Sequence, residues 1–106
     1  MNPNMSPDLI INDLTMRPRI NFGYWPCMYA WRRGKLWLYI GITKTGAHRI
    51  YGHNIITPQT FNPGDEIEIW IMKDKTMKEL KIYEKYFIKQ FKPVLNGVHN
   101  ELQKVR

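Results

Sequence analysis

The chain has 106 residues, of which 16 are lysine or arginine and 9 are aspartate or glutamate, and its formal net charge at pH 7 is +7. This length is typical of one domain with a single core, and the apolar content of 43% excludes a disordered chain. The single cysteine excludes an intramolecular disulfide and favours a reducing, cytoplasmic compartment. No apolar segment approaches the roughly 20 residues of a transmembrane helix, so we expect no membrane partner.

Positive charge is concentrated in one part of the sequence. No acidic residue lies between Asp13 and Asp65, whereas this stretch carries seven lysines and arginines, as many as the net charge of the whole chain. Such segregation is typical of proteins that bind a polyanion, and nucleic acid is the commonest one. A solvated surface without a partner is the other explanation of this pattern.

The N-terminal part of the chain predicts an arm followed by a β-hairpin. Residues 1–25 are irregular and contain three prolines, which indicates an N-terminal arm or extension. Period-two alternation then begins at Met28 and continues to Ile42, interrupted only at residues 32–34, which predicts two antiparallel strands.

The loop of this hairpin decides which side chains share a face. A two-residue loop at residues 33–34 separates Tyr29 and Tyr39 onto opposite faces. A three-residue loop at residues 32–34 instead pairs Tyr29 with Trp37 and leaves one face aliphatic, so we prefer it. We expect the other face to border a ligand rather than a dry core, and it carries Tyr29, Trp31, Lys35, Trp37 and Tyr39.

Two helices and a further strand are predicted after the hairpin. Residues 43–54 suit a short helix, which brings Arg49 and His53 to one face because they lie one turn apart. Alternation in residues 66–73 predicts a third strand. Residues 76–91 predict the clearest helix, with a capping box at its start and apolar residues at three- and four-residue steps. We therefore expect an α+β domain with a three-stranded antiparallel sheet flanked by helices.

Glu84 interrupts the apolar stripe of the last predicted helix. An ionised carboxylate buried at this position costs several kcal/mol unless a cation or a metal ion pairs with it. Glu84 is therefore either a metal ligand on the core-facing side or a carboxylate at the edge of the stripe. In the second case it pairs with Lys81 or Lys85 or reaches solvent.

A tyrosine occurs in each of two short motifs on the predicted hairpin. The first is Cys27-Met28-Tyr29, and nine residues separate its tyrosine from the second, Tyr39-Ile40-Gly41. Arg49 lies ten residues after Tyr39, and His53 lies four residues after Arg49. In this order and spacing the chain resembles the GIY-YIG nuclease family, whose second motif is present in full.

The C-terminal part carries the same resemblance. Glu84 is followed nine residues later by Pro93 and twelve residues later by Asn96, which resembles the closing pattern of that family. The resemblance covers residues 27–96. Cys27 and Met28 depart from it, because they replace the first glycine and isoleucine of the family name.

The resemblance implies a metal-dependent endonuclease that hydrolyses DNA and leaves 5′-phosphate and 3′-hydroxyl ends, with residues 26–106 as the GIY-YIG domain. It implies Glu84 as the ligand of one Mg²⁺ or Mn²⁺ and Arg49 as a phosphate contact. Tyr29 or Tyr39 would orient the attacking water or accept its proton. His53 would assist that tyrosine or contact phosphate directly. Asn96 would hold Glu84 or the backbone in place.

The expected partner is DNA, with a homodimer or a targeting protein as a possible addition. We expect the strand to be held by cations and one ring of the hairpin and by the segment that follows it. These residues are Arg32, Arg33, Lys35, Trp37, Lys44 and Arg49. The alternative function is a non-catalytic nucleic-acid-binding module, which explains the charge and the aromatic residues without a role for Glu84. An acyl-transfer enzyme is disfavoured because Cys27 has no evident base.

Overall fold

The structure, a computed structural model, describes residues 6–14, 25–46, 50 and 53–96. The strands and the long helix within these ranges are, in chain order, β1 (Leu9–Ile11), β2 (Cys27–Arg33), β3 (Leu36–Thr43), β4 (Glu66–Ile71) and α1 (Met77–Phe91). The strands form one antiparallel sheet in the order β1-β4-β2-β3, so the expected α+β class is confirmed. Across the described ranges, no helix has both the length and the apolar content that a membrane crossing requires.

The sheet has one strand more than the sequence predicts. Leu9–Ile11, which the sequence assigns to the N-terminal arm, forms β1 and pairs with β4. Asp8 extends this pairing, because its N–H donates to the carbonyl of Ile69 and its carboxylate accepts from the N–H of Ile71. The three-stranded prediction is wrong because three residues are too few for an alternation of side chains to be recognised.

The last predicted helix is confirmed. The hydroxyl of Thr76 accepts from the N–H of Glu79 and the carboxylate of Glu79 accepts from the N–H of Thr76, which is the predicted capping box. The helix ends where Lys92 adopts a left-handed conformation, with φ of 49°.

Five residues of the other predicted helix, 43–54, lie outside the described residues, and Arg49 is one of them. The described residues of this range form no α-helix: Thr43 ends β3, and residues 44–46 and 53–54 are not helical.

The hairpin of β2 and β3 has a different register from the one predicted. Arg33 pairs with Leu36 across a two-residue turn that begins at Gly34, whose φ of 62° suits the first position of such a turn. A β-bulge follows, because Trp31 pairs with Tyr39 while its neighbour on β2 pairs with Trp37. The predicted pairing of Tyr29 with Trp37 is therefore wrong. The turn at residues 34–35 pairs Trp37 with Arg32, and the extra residue of the bulge then places Tyr39 on the opposite face of the sheet from Trp37.

The two faces of the sheet are covered by different parts of the chain. On the helix face, α1 packs its buried Leu80 and Phe87 against Met28, Ala30 and Ile40. On the opposite face, which we call the tyrosine face, the side chains of Tyr29 and Trp31 pack with buried residues of the segment 50–61. Trp31 is 2% exposed and Tyr29 4% exposed, so the expectation of an open aromatic face is wrong for these two rings.

Candidate active site

Three aromatic rings from distant parts of the chain meet on the tyrosine face. The ring centroids of Tyr29 and Tyr39 lie 6.3 Å apart. The imidazole of His53 meets both rings edge-on, at 5.7 Å from Tyr29 and 5.1 Å from Tyr39. Tyr29 is buried, whereas Tyr39 and His53 are half-buried. The cluster therefore lies at the boundary between the core and the surface, where a ligand can reach polar atoms.

The Tyr29 ring can occupy its position only because residue 41 is glycine. Tyr29 on β2 pairs directly with Gly41 on β3. A Cβ atom at residue 41 would lie 2.6 Å from both the Cζ and the hydroxyl oxygen of Tyr29, and 3.0 Å from the Cε2 of Tyr39. These separations are far below normal carbon contacts, so an added Cβ would require the ring or the strand to shift. Gly41 thus leaves the space that the two tyrosine rings occupy, a role that the sequence alone did not explain.

Backbone hydrogen bonds select the tautomer of the neutral His53 ring. Its Nδ1 accepts from the N–H groups of Ile55 and Ile56, at 3.0 and 3.2 Å. An imidazole nitrogen that accepts two N–H groups carries no proton, so the neutral ring has its proton on Nε2. The ring can then donate from Nε2 but cannot take up a proton at Nδ1 without losing both backbone hydrogen bonds.

Glu84, on helix α1, acts electrostatically on one ring of this cluster, that of Tyr39. Burial raises the pKa of the Glu84 carboxyl above its usual range, and the positive charge of Lys81 opposes this only in part. Burial raises the pKa of Tyr39 as well, and the negative charge of Glu84 adds to the effect. The two side chains therefore interact electrostatically. Among the described residues, neither Lys81 nor Lys85 forms an ion pair with Glu84, and its carboxylate is half-buried.

Asn96 holds the backbone of β3 beside the two tyrosines. Its Oδ1 accepts from the N–H of Ile40 at 2.7 Å, and its Nδ2 donates to the carbonyl of Ile40 at 2.8 Å. β3 is an edge strand of the sheet, so the amide takes the place that a neighbouring strand would fill. The sequence proposed that Asn96 holds either Glu84 or the backbone. In the structure, Asn96 holds the backbone of Ile40.

The hairpin arginines are neutralised within the chain. Arg32 forms ion pairs with Glu66 and Glu68, at the start of β4. Arg33 pairs with Asp65, which is fully buried. Two of the cations that the sequence proposes for DNA, Arg32 and Arg33, are therefore compensated by acidic residues at the start of β4. This compensation depends on the pairing of β2 with β4.

Asp65 is a buried carboxylate that the sequence did not single out. It accepts hydrogen bonds from the indole N–H of Trp31 at 3.0 Å, from the guanidinium of Arg33 at 2.9 Å and from the backbone N–H of Asn62 at 2.9 Å. Burial acts to raise its pKa, but the hydrogen bonds from these three groups outweigh burial and hold the pKa below its ordinary value of 3.8. Asp65 joins the hairpin, β4 and the loop before β4.

The remaining predicted DNA contacts have separate surroundings. Trp37 lies on the helix face, where its ring centroid is 4.9 Å from that of Phe91, and not beside the tyrosines as predicted. Lys35 and Lys44 are exposed, and no described ion pair includes either of them.

Cys27 lies in the core of the sheet. Its side chain is fully buried, and burial raises the pKa of its thiol to about 12. A thiol with this pKa supplies almost no thiolate near neutral pH, which disfavours nucleophilic chemistry at Cys27.

The described residues contain no group of three or more histidine, cysteine, aspartate or glutamate side chains arranged around one metal position. A metal ion at Glu84 would therefore have to be held by a single carboxylate together with water and substrate oxygens. In comparisons with family profiles, curated proteins and solved structures, the chain has no significant match.

Proposed function

We propose that the protein is a divalent-metal-dependent endonuclease that hydrolyses phosphodiester bonds in DNA. The observation that carries this proposal is the meeting of Tyr29, Tyr39 and His53 on the tyrosine face. These residues belong to β2, β3 and the segment after β3, so a shared location is not imposed by sequence proximity. Glu84, half-buried on α1, acts electrostatically on Tyr39. Their order along the chain is also the order that resembles the GIY-YIG nuclease family.

Glu84 fits the requirements of a magnesium or manganese ligand. Mg²⁺ prefers oxygen, keeps several of its waters, and is often bound by one or two carboxylates together with substrate phosphates. A half-buried carboxylate that forms no described ion pair has the charge and the accessibility for this role. A bound Mg²⁺ or Mn²⁺ would supply Lewis-acid stabilisation of the negative charge that develops on the phosphate.

The other residues of the cluster would position water and phosphate. The hydroxyls of Tyr29 and Tyr39 would orient the attacking water by hydrogen bonding. Because the pKa of Tyr39 is raised, its hydroxyl stays neutral near pH 7 and would hold the water rather than remove its proton. His53 presents Nε2–H as a donor, so we assign it to a phosphate oxygen rather than to proton removal from a tyrosine. Asn96 and Gly41 would act as positioning residues, because they fix β3 and the tyrosine rings without reaching substrate.

Cleavage of a supercoiled plasmid tests the proposal. We expect the wild-type protein to nick the plasmid with Mg²⁺ or Mn²⁺ and to leave it intact in EDTA. Glu84→Gln removes the charge of the carboxylate with little change in shape, and it should abolish nicking while retaining DNA binding. Glu66→Gln is the matched control, because Glu66 lies at the start of β4 and its partner Arg32 keeps the second carboxylate, Glu68.

Three outcomes would contradict the proposal. Nicking by Glu84→Gln at the wild-type rate would show that the metal assignment is wrong. Equal loss in Glu66→Gln and Glu84→Gln would show that the effect is not local to the site. Binding of DNA without cleavage under any metal condition would favour the non-catalytic binding module instead.

A further inference from the structure

Helix α1 carries more lysines outside any described ion pair than any other described helix or strand. The described ion pairs all involve Arg32 or Arg33, and no lysine takes part in one of them. Four lysines of α1 are exposed: Lys78, Lys81, Lys85 and Lys89. The region that the sequence marks as basic is thus partly compensated, whereas α1, with four lysines and two glutamates, presents four exposed lysines outside any described ion pair.

These lysines share one flank of the helix. With a rotation of about 100° per residue, the four side chains fall within an arc of about 80°. Glu84 lies about 60° from the near edge of that arc, on the side of the sheet contact. The exposed apolar residues Ile82 and Tyr86 lie beyond the far edge. Lys81, at the near edge of the arc, is the lysine that acts on Glu84, whereas the exposed Ile82 lies about 20° beyond the far edge.

We propose that this lysine flank, formed by Lys78, Lys81, Lys85 and Lys89, holds the phosphate backbone of the nucleic acid that passes the site. The inference rests on the proposed function, since it takes the nuclease substrate as the occupant. The flank extends over about 16 Å of helix, which equals the axial length of about five base pairs. Each ammonium is a strong point charge on a flexible stem, suited to phosphates and indifferent to base sequence.

Charge and position together favour a nucleic-acid strand over other anionic partners. An acidic protein or an anionic membrane would equally attract lysines, but neither would require the cations to line up beside Glu84. A strand whose phosphate is cleaved at Glu84 must continue in both directions from that point. The lysine flank lies on the same helix as Glu84, and its member Lys81 acts electrostatically on that carboxylate.

The salt dependence of DNA binding tests this assignment. Binding of a short duplex is measured in EDTA at several salt concentrations, so that no cleavage interferes. Lys85→Gln/Lys89→Gln removes two charges from the flank and leaves Lys81, which acts on Glu84, in place. The control Lys73→Gln/Lys75→Gln removes two charges from the turn before α1. Thermal unfolding of each variant verifies that it is folded.

We expect the slope of log Kd against log salt to fall by about 1.8 in the flank variant, since each phosphate contact contributes about 0.9. The control should change the slope by less than half of that. Equal changes of slope in both variants would indicate a response to net charge. An unchanged slope in the flank variant would mean that the flank does not contact phosphate. Either result would overturn the inference. Weaker binding of the flank variant to phosphatidylserine vesicles, with DNA binding unchanged, would overturn it in favour of a membrane surface.

Plasmid nicking separates this inference from the proposed function. If the wild-type protein nicks DNA and the flank variant keeps the wild-type salt slope, the nuclease proposal stands and the role of the lysine flank is refuted. If the wild-type protein never cleaves DNA but the slope falls in the flank variant alone, the flank stands as a binding surface and the nuclease proposal is refuted.

Discussion

The side-chain amide of Asn96 forms two hydrogen bonds with the backbone of Ile40, a residue 56 positions earlier in the chain. Ile40 lies between Tyr39 and Gly41, so the amide fixes the segment of β3 that presents one tyrosine and accommodates the other. This contact ties the end of the described chain to the candidate site. It also satisfies backbone groups that an edge strand would otherwise expose.

Asn96→Ala should lower both stability and activity. The change leaves the N–H and carbonyl of Ile40 without their partner in a buried place, which costs about 1–3 kcal/mol of unfolding free energy. Urea denaturation measures that loss. The nicking rate, measured where both proteins are folded, should fall because β3 is no longer held. Wild-type stability together with a wild-type rate would show that the two hydrogen bonds do not position the site.

Gly41→Ala should displace the Tyr29 ring. The added methyl group would lie 2.6 Å from the Tyr29 hydroxyl, so the ring or the strand must shift. Overpacking of this kind costs roughly 1–3 kcal/mol. We expect a folded but less stable protein whose nicking rate falls beyond what partial unfolding explains. Tyrosine fluorescence or a chemical-shift change at Tyr29 would report the displacement, and an unperturbed Tyr29 would contradict it.

The regular elements were predictable because each has a local signal. The capping box and apolar spacing predict α1, and alternation predicts β2, β3 and β4. The bulge in β3 has no such signal, since one extra residue between Trp37 and Tyr39 still leaves an apolar pattern. That single residue decides that Trp37 packs under α1 while Tyr39 turns to the site.

The charge pattern was a weaker guide than the element pattern. A cluster of cations in sequence says nothing about which acidic residues the fold brings beside them. The aspartate and glutamates at the start of β4 neutralise Arg32 and Arg33 only because β4 pairs with β2. The meeting of Tyr29, Tyr39 and His53 was inferred from a family resemblance and not from geometry, because no local rule brings these three rings together.

Asp65 predicts a specific pH dependence of stability. Its pKa in the folded protein lies below the ordinary 3.8, so the ionised form stabilises the fold. This contribution is fully present above pH 3.8 and is lost as the pH falls from there through the lowered pKa. The difference in unfolding free energy between the wild type and Asp65→Asn should therefore be constant between pH 5 and 7 and shrink below pH 3.8.

Urea denaturation across that pH range provides the measurement. Asp74→Asn is the control, because Asp74 is exposed in the turn after β4. Its difference from the wild type should be small throughout. A difference for Asp65→Asn that stays constant down to pH 3 would mean that the carboxylate is not stabilised by Trp31 and Arg33.

His53 offers two substitutions that separate its structural contact from its proposed contact with substrate. His53→Asn places an amide oxygen near the position of Nδ1, so it retains an acceptor for the N–H groups of Ile55 and Ile56 but loses the donor at Nε2. His53→Gln places an amide nitrogen near the position of Nε2 and loses the acceptor at Nδ1. The first variant keeps the loop contact, and the second keeps the donor.

We expect opposite effects on stability and rate. His53→Asn should unfold at nearly the wild-type urea concentration and nick DNA roughly 10²-fold more slowly, as expected when a donor to a developing charge is lost. His53→Gln should be less stable by about 1–3 kcal/mol, since two part-buried N–H groups lose their acceptor, and should retain more activity than His53→Asn. The reverse order of rates would assign the catalytic effect of His53 to the loop it holds and not to its Nε2–H.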